Sequence, residues 1–418
     1  MLQPRHFQNG RGAPRPIARR VLVAAVAGAA LLVSCSPASP ATPATHSVAP
    51  TFPPLASFSA APEPTGTPTP AGTLPIGPVP EEFVPASVTF VSLDEGWVLG
   101  SAPCEATTCL VLLRTLNAGR TWASVNGPST FFGEGNSVEM SSVSQIRFAD
   151  PEDGWAYAPG LWATHDGGAH WRQEYLPSQA APGFINDIEA SRGIVHAALL
   201  DSNFDARIET SPTGSDAWHE TPISVIAGAG PVPSTTITLS GTEGWMVQVD
   251  RTVIGGARFG TRGWVAWQPP CLSGGGGLVL AASTATNIAA VCSDGQWTNF
   301  PMHVEVSFSR NSGTTFTPAA LQPGLVEAGG AASPAPGAVV IATTGSGGTV
   351  VFVATYNAGA TWNKVFGTIT DDYTAFIGFT SASRGVAIVD DAGGTAATLL
   401  MTFNGGRSWA PVPFRQAS

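Results

Sequence analysis

The sequence predicts an all-β fold, a seven-bladed β-propeller whose blades are four-stranded antiparallel sheets. Three observations carry this expectation. A short pattern ending in an aromatic residue recurs along the chain. The aromatics are spaced by one blade length. Each period holds short apolar runs of strand length.

The pattern is Ser/Thr, any residue, Asp/Asn, any residue, Gly, two residues, then an aromatic. It reads TLNAGRTW at 115–122, THDGGAHW at 164–171, SRNSGTTF at 309–316, TYNAGATW at 355–362 and TFNGGRSW at 402–409. One gap, from Trp171 to Phe316, spans 145 residues and is close to three periods. Two decayed copies fill it, SPTGSDAW at 211–218 and GTRGWVAW at 260–267. Trp122, Trp171, Trp218, Trp267, Phe316, Trp362 and Trp409 then recur every 46–49 residues. A period of 40–50 residues is the signature of a propeller. Residues 83–418 divide into seven such units, which leaves no length for another domain.

The strands of each unit are read from short apolar or alternating runs, such as 88–91, 110–113, 350–353 and 397–400. Gly, Asp and Ser bound them, as expected of β-strands. A second landmark reads FVSLDEGWVLG at 90–100, FADPEDGWAYA at 148–158, LSGTEGWMVQ at 239–248 and FTSASRGVAIV at 379–389. Each copy is strand, turn, glycine, strand. About four strands per period make one blade.

The eight-residue pattern needs no ligand to explain it. Asn117, Asp166, Asn311, Asn357 and Asn404 are expected to hold a turn by bonding backbone N–H groups two residues ahead. Gly119, Gly168, Gly313, Gly359 and Gly406 supply a backbone angle that other residues resist. Trp122, Trp171, Trp218, Trp267, Phe316, Trp362 and Trp409 pack between neighbouring blades. In ATHDGGAHW (163–171), His165 and His170 look like a metal or catalytic cluster. They occupy slots that vary among the copies, so a structural turn is expected there and no metal. The pattern resembles the Asp-box, or BNR repeat, of sialidases, sortilin, xyloglucanases and the photosystem II assembly factor family. That resemblance implies a propeller with Asp-box turns and leaves the activity open, because these families do unrelated things on one scaffold.

The N-terminus reads as an export signal. Residues 1–20 carry Arg5, Arg11, Arg15, Arg19 and Arg20 without an acid, and VLVAAVAGAALLV at 21–33 is wholly apolar. This layout is that of a signal peptide, and the run is short for a bilayer span. Leu32-Val33-Ser34-Cys35 resembles the lipobox of bacterial lipoproteins, which implies lipidation of Cys35 after removal of 1–34. Residues 35–82 are rich in Pro, Ala, Ser and Thr and read as a disordered stalk. The propeller, 83–418, is therefore expected outside the cell, tethered to the membrane. Cys104, Cys109, Cys271 and Cys292 are an even number in an exported chain and predict disulfides. Four cysteines allow three pairings, and proximity favours Cys104–Cys109 with Cys271–Cys292.

The net charge of −10 includes five arginines of the signal, so the exported part is more acidic still. This excludes a nucleic-acid footprint, which is basic. No cofactor is expected. The cysteines lack zinc spacing. GSGGTVV at 345–351 lacks the lysine and helix of a phosphate loop. The expected function is a non-catalytic binding or assembly platform for an extracytoplasmic protein or glycan. Phe90 to Trp97 and Phe148 to Trp155 resemble lines of the photosystem assembly factor family, which supports this. A candidate contact loop, 127–143, displays Phe131 and Phe132. The alternative is a sialidase-like glycoside hydrolase, which requires three converging arginines and a Tyr/Glu pair. Its Phe-Arg-Ile-Pro motif is absent, and no arginine triad can be assigned. Tyr373 in TDDYTAF (370–376) is the best isolated tyrosine.

Overall fold

The computed structural model describes residues 77–104, 107–133, 141–178, 184–201, 205–223, 234–250, 252–271, 277–294, 303–325, 328–344, 349–368, 372–391 and 396–415. The expected signal, Cys35 and most of the stalk lie outside these residues. So does most of the second half of the 127–143 loop. The chain divides into units 1–53 and 54–418, and the second carries everything below.

Seven four-stranded sheets follow one another in chain order, and no helix occurs among the described residues. Blade 1 is β1 (Val84–Phe90), β2 (Gly96–Cys104), β3 (Thr107–Thr115) and β4 (Ala123–Val125). Blade 2 is β5 (Gln145–Phe148), β6 (Gly154–Tyr157), β7 (Leu161–Thr164) and β8 (Arg172–Gln173). Blade 3 is β9 (Phe184–Ser191), β10 (Ile194–Leu200), β11 (Ala206–Pro212) and β12 (His219–Thr221). Blade 4 is β13 (Ser234–Ser240), β14 (Glu243–Asp250), β15 (Thr252–Gly260) and β16 (Gly263–Ala266). Blade 5 is β17 (Leu278–Ala282), β18 (Ile288–Asp294), β19 (His303–Ser309) and β20 (Thr317–Pro318). Blade 6 is β21 (Gly330–Ala332), β22 (Val339–Thr344), β23 (Val350–Thr355) and β24 (Asn363–Gly367). Blade 7 is β25 (Asp372–Phe379), β26 (Gly385–Asp391), β27 (Ala397–Thr402) and β28 (Ala410–Pro411). The protein is a seven-bladed β-propeller.

The second landmark marks the hairpin between the first two strands of a blade. Phe90 pairs with Gly96, Phe148 with Gly154, Leu239 with Gly244 and Phe379 with Gly385. In each pair the large side chain lies flat on the glycine. A Cβ at Gly96 would meet the Phe90 ring at 2.6 Å, and one at Gly154 the Phe148 ring at 2.5 Å. The tryptophan that follows is then fully buried, as Trp97, Trp155 and Trp245 are.

The eight-residue pattern forms the hairpin between the third and fourth strands. In blade 1 the buried Thr115 hydroxyl accepts from Gly119 N at 2.9 Å and donates to Asn117 Oδ1 at 3.1 Å. Asn117 Oδ1 accepts in turn from Thr121 N at 2.9 Å. The carboxamide thus reaches four residues ahead, not two, and the hydroxyl serves the inner N–H groups. Thr164, Ser309, Thr355 and Thr402 repeat this arrangement within 0.1 Å for the glycine bond. Two consecutive residues are left-handed, Ala118 and Gly119 with φ 62° and 78° in blade 1. The box then ties to the first hairpin of its own blade through Ala118 N to Asp94 O, with equivalents at Gly167, Ser312, Ala358 and Gly405.

Seven apolar clusters fill the seven seams between blades, including the seam of blades 7 and 1 that closes the ring. The aromatic ending the box faces the preceding blade. Trp122 packs on Ile388 and Met401, Trp171 on Trp97, Trp218 beside Trp155, Phe316 near Trp245, Trp362 beside Val306 and Trp409 on Phe352. Trp267 is the exception. β15 and β16 are joined by a two-residue turn with Gly260 opposite Gly263, so blade 4 has no box. The residue that faces blade 3 is Trp264, 5% exposed against Ala198, Ile208 and Met246. Trp267 comes after β16 and points to the other seam, where its indole donates to Gly313 O at 2.9 Å. The spacing located the blade correctly and the seam residue three positions too late.

Blade 1 carries an extra strand residue. Gly77 pairs with Ser124 through bonds of 3.1 and 3.0 Å, and Trp122 N donates to Arg415 O at 2.8 Å. The chain therefore joins the ring before residue 83, and both ends of the propeller meet on blade 1. Cys104–Cys109 closes the β2–β3 hairpin, and Cys271–Cys292 ties the entry of blade 5 to β18.

Trp264 and Trp267 can be separated by experiment. Trp264→Ala should cost about 3–5 kcal/mol, as for a large buried aromatic. Trp267→Ala, partly exposed, should cost about 1–2 kcal/mol. Urea unfolding of both variants checks this, and a larger loss at 267 would place the seam residue there after all.

Candidate functional site

Antiparallel order puts the turns after the first and third strands of every blade on one face of the ring. The turns after the second strand and the connectors to the next blade lie on the other. The first strands, β1, β5, β9, β13, β17, β21 and β25, line a central channel of about 280 Å³. Its wall is mostly small or apolar, with Val88, Leu239, Ala282, Ala332 and Ile377.

Blades 2 and 3 break that pattern. Arg147 on β5 meets Glu189 on β9, Nη2 to Oε1 at 2.7 Å, with a fifth and a quarter of their side chains exposed. Its Nε donates to Ile188 O at 3.1 Å. Behind them Tyr157 donates to Asp187 Oδ1 at 3.4 Å, and Ile237 N donates to Asp187 Oδ2 at 2.8 Å. Burial pushes the Glu189 carboxyl up to about 7, with Arg147 pulling it back in part and Asp187 adding to the rise. Burial raises Asp187 too, against Arg147 and its hydrogen bonds. Burial and the charge of Asp187 raise the Tyr157 phenol. For Arg147, burial disfavours the cation but Glu189, Tyr157 and Asp187 outweigh it, and its pKa rises. The result is a polar patch whose charges are mutually satisfied and whose outermost acid, Glu189, titrates near neutrality. No sequence motif flagged it, because β5 and β9 are about 40 residues apart and each contributes isolated residues.

The connector face carries exposed aromatics. Phe131 is 62% exposed on the blade 1–2 connector, and Tyr175 is 72% exposed on the blade 2–3 connector. Phe132 behaves differently from its neighbour. It bridges to Val143 and packs on the seam of blades 1 and 2. Asp372 and Tyr373 contribute backbone to β25, and their side chains lie outside the described residues.

The ATHDGGAHW box holds more than a turn. Asp166 replaces the asparagine of the other complete copies. Where Asn117 Nδ2 donates to the Thr121 hydroxyl at 2.8 Å, Asp166 Oδ2 faces His170 Nδ1 at 2.7 Å. The slot of His170 is therefore matched to the residue four before it, by a hydroxyl for Asn and an N–H for Asp. The Asp166 carboxyl lies below its usual value: burial raises it, and the His170 and Thr164 bonds more than compensate. His165 bridges two carboxylates, Asp153 at 2.6 Å from Nδ1 and Asp216 of blade 3 at 2.9 Å from Nε2. Arg172 also holds Asp216, at 2.8 Å, and pairs with Glu174. Among the described residues no group of three or more His, Cys, Asp or Glu is arranged to hold a metal.

Other arginines pair away from the channel: Arg114 with Glu95, Arg207 with Asp201, Arg258 with Glu243 and Arg384 with Asp94. Arg147 is the arginine that lines the channel among the described residues.

No family model and no curated protein matches the sequence. Solved structures do. YCF48 from Cyanidioschyzon merolae is 16% identical over 78% of this chain and 97% of its own, with a TM-score of 0.51. A puromycin hydrolase mutant complexed with PGG is 16% identical over 80% of this chain and 54% of its own, at 0.52. YCF48 bound to D1 peptide is 17% identical over 82% and 99%, at 0.49. What the first two share with this chain is the fold alone.

Burial works against the His165 imidazolium, but the bonds and charges of Asp216 and Asp153 outweigh it and raise the pKa above 6.5. The stabilisation from this bridge is complete below about pH 6.5, the unfolded value, and is lost as pH rises through the raised folded value. Burial also raises the Asp153 carboxyl, offset in part by the His165 bond. Wild type should therefore melt above His165→Gln at pH 5.5, by no more than about 1 kcal/mol for so exposed a pair. The gap should shrink at pH 8.5. Equal gaps at both pH values would mean the bridge carries no charge.

Proposed function

We propose that this protein is a lipid-anchored, extracytoplasmic binding platform whose connector face holds a protein or glycan partner. The observation that carries this reading is the pair of exposed aromatics, Phe131 and Tyr175, on consecutive connectors of one face. Phe and Tyr are among the residue types enriched at protein interfaces. Adjacent connectors on a rigid ring are also where binding residues concentrate. The Asp-box repeats and the Phe90–Trp97 and Phe148–Trp155 lines, similar to the photosystem assembly factor family, support a scaffold role.

The test is capture from the organism's own membranes with the full chain. Phe131→Ala and Tyr175→Ala together should lower retention of the captured partner about tenfold while leaving the melting temperature unchanged. Robust turnover of a fluorogenic sialoside by the wild type would overturn the platform reading in favour of a glycoside hydrolase.

The anchor is tested separately. Cys35→Ser should move the protein from the membrane fraction to the soluble fraction and abolish incorporation of labelled palmitate. Retention of either property in the variant would refute lipidation at Cys35.

A further inference from the structure

Each first strand turns an unpaired edge to the channel. On that edge the N–H and C=O of one residue point the same way, and no further strand meets them. In blades 2 and 4 the preceding blade occupies the donors. The Ser87 hydroxyl accepts from Ile146 N at 3.1 Å, and the Thr89 hydroxyl from Phe148 N at 3.4 Å. Asp187 accepts from Ile237 N at 2.8 Å. The carbonyls of Ile146, Phe148 and Ile237 share that edge and remain as acceptors. In blade 3 Arg147 Nε takes one carbonyl, Ile188 O. The channel edge in this sector therefore offers more acceptors than donors.

Glu189 adds an acid to it. Glu189 lines the channel, and a quarter of its side chain is exposed. Arg147 holds Oε1 at 2.7 Å, and among the described residues no bond uses Oε2. The carboxylate is oriented by its ion pair and keeps one oxygen over. Asp187 lies two residues before it, so one guanidinium stands against two acids. Burial keeps the Tyr157 phenol protonated. His196, opposite Glu189 in the β9–β10 ladder, is neutral because burial lowers its pKa to about 4. The charge left over is negative. Leu239, Ala332 and Ile377 supply apolar wall beside it.

We propose that the channel binds a small primary ammonium with a short apolar tail, either a free alkylamine or the side chain of a lysine. The ammonium donates to Glu189 Oε2 and to the inner-edge carbonyls, acceptors enough for its three N–H groups. Leu239, Ala332 and Ile377 take the tail. The site lies inside the ring, apart from Phe131 and Tyr175, and does not rest on the platform reading.

Glu189 binds the cation in its ionised form. Its carboxyl titrates at about 7. An alkylammonium, at about 10.4 like lysine, stays charged throughout. The ionised fraction of Glu189 rises from about a tenth at pH 6 to about nine tenths at pH 8, and affinity rises with it.

The test is calorimetric titration of the full chain, in phosphate buffer, with pentan-1-amine and with its neutral analogue, pentan-1-ol. At pH 8 the amine should bind about tenfold more tightly than the alcohol, the size expected of charge-assisted bonds. At pH 6 the amine should bind about tenfold more weakly than at pH 8, and the alcohol should not change. Glu189→Gln keeps an acceptor for Arg147 and should remove both the preference for the amine and the pH dependence. The wild-type titrations decide the matter even if that variant fails to fold. Nα-acetyllysine methylamide separates the two sources. Binding as tight as that of the amine assigns the site to lysine side chains, and weaker binding assigns it to free amines. Equal affinity for amine and alcohol, no binding of the amine, or the same amine affinity at both pH values would each overturn the proposal.

Discussion

In five of the seven blades one buried hydroxyl sets the geometry on which the ring depends. Thr115, Thr164, Ser309, Thr355 and Thr402 are each almost wholly buried, and each accepts a glycine N–H while donating to the Asn or Asp two residues on. A buried hydroxyl so used leaves none of its bonding capacity unmet. The turn it fixes delivers the next aromatic to the seam. The glycine it fixes presents bare backbone to the neighbouring blade. A Cβ at Gly359 would meet Ala319 at 2.4 Å, and one at Gly406 would meet Val340 at 2.7 Å. The same residue thus satisfies a backbone angle and a close approach, and the two demands reinforce each other.

The seam clusters carry the apolar burial that holds the blades together, since each blade touches only its neighbours and the ring closes through the seam of blades 7 and 1. Stability is then a chain of local terms, as in other repeat architectures. One blade can lose its box if its seam is filled in another way. Blade 3 lacks the Asn or Asp, and its Ser211 hydroxyl donates to Ser215 O instead of accepting. Blade 4 dispenses with the box and fills its seam with Trp264, Phe259 and His196.

This explains what could be read from the sequence and what could not. Blade number and strand order were legible, because a fixed period and an end-of-box aromatic are one-dimensional features. The identity of the blade 4 aromatic was not. Trp264 and Trp267 lie three residues apart, and only the length of the β15–β16 turn decides which one faces blade 3. The slots of His165 and His170 vary among the copies, and their pairing with acids shows only in three dimensions. Comparing copies shows Asp166 and His170 together in one box, but not that the two side chains bond. Phe131 and Phe132 were indistinguishable in sequence, since a single peptide step turns one to solvent and the other into the seam. The Arg147–Glu189 patch was illegible for a different reason. It is assembled from successive first strands, whose contributions look like ordinary strand residues until the ring brings them together.

The unusual chemistry gathers on blade 2, whose box is complete, and on blades 3 and 4, whose copies are degenerate. The polar channel patch, the His165 bridge, the Arg172–Asp216 pair and the buried His196 all fall on blades 2 to 4. Blades 5 to 7 hold complete boxes and conventional apolar seams. A complete box does not preclude such contacts, since blade 2 keeps the Thr164 hydroxyl and carries His165 in a variable slot of the same turn. Where the box is lost, as in blade 4, the third hairpin is free to change length. The regular blades maintain the ring, and that regularity lets the irregular sector depart from the pattern without unravelling it.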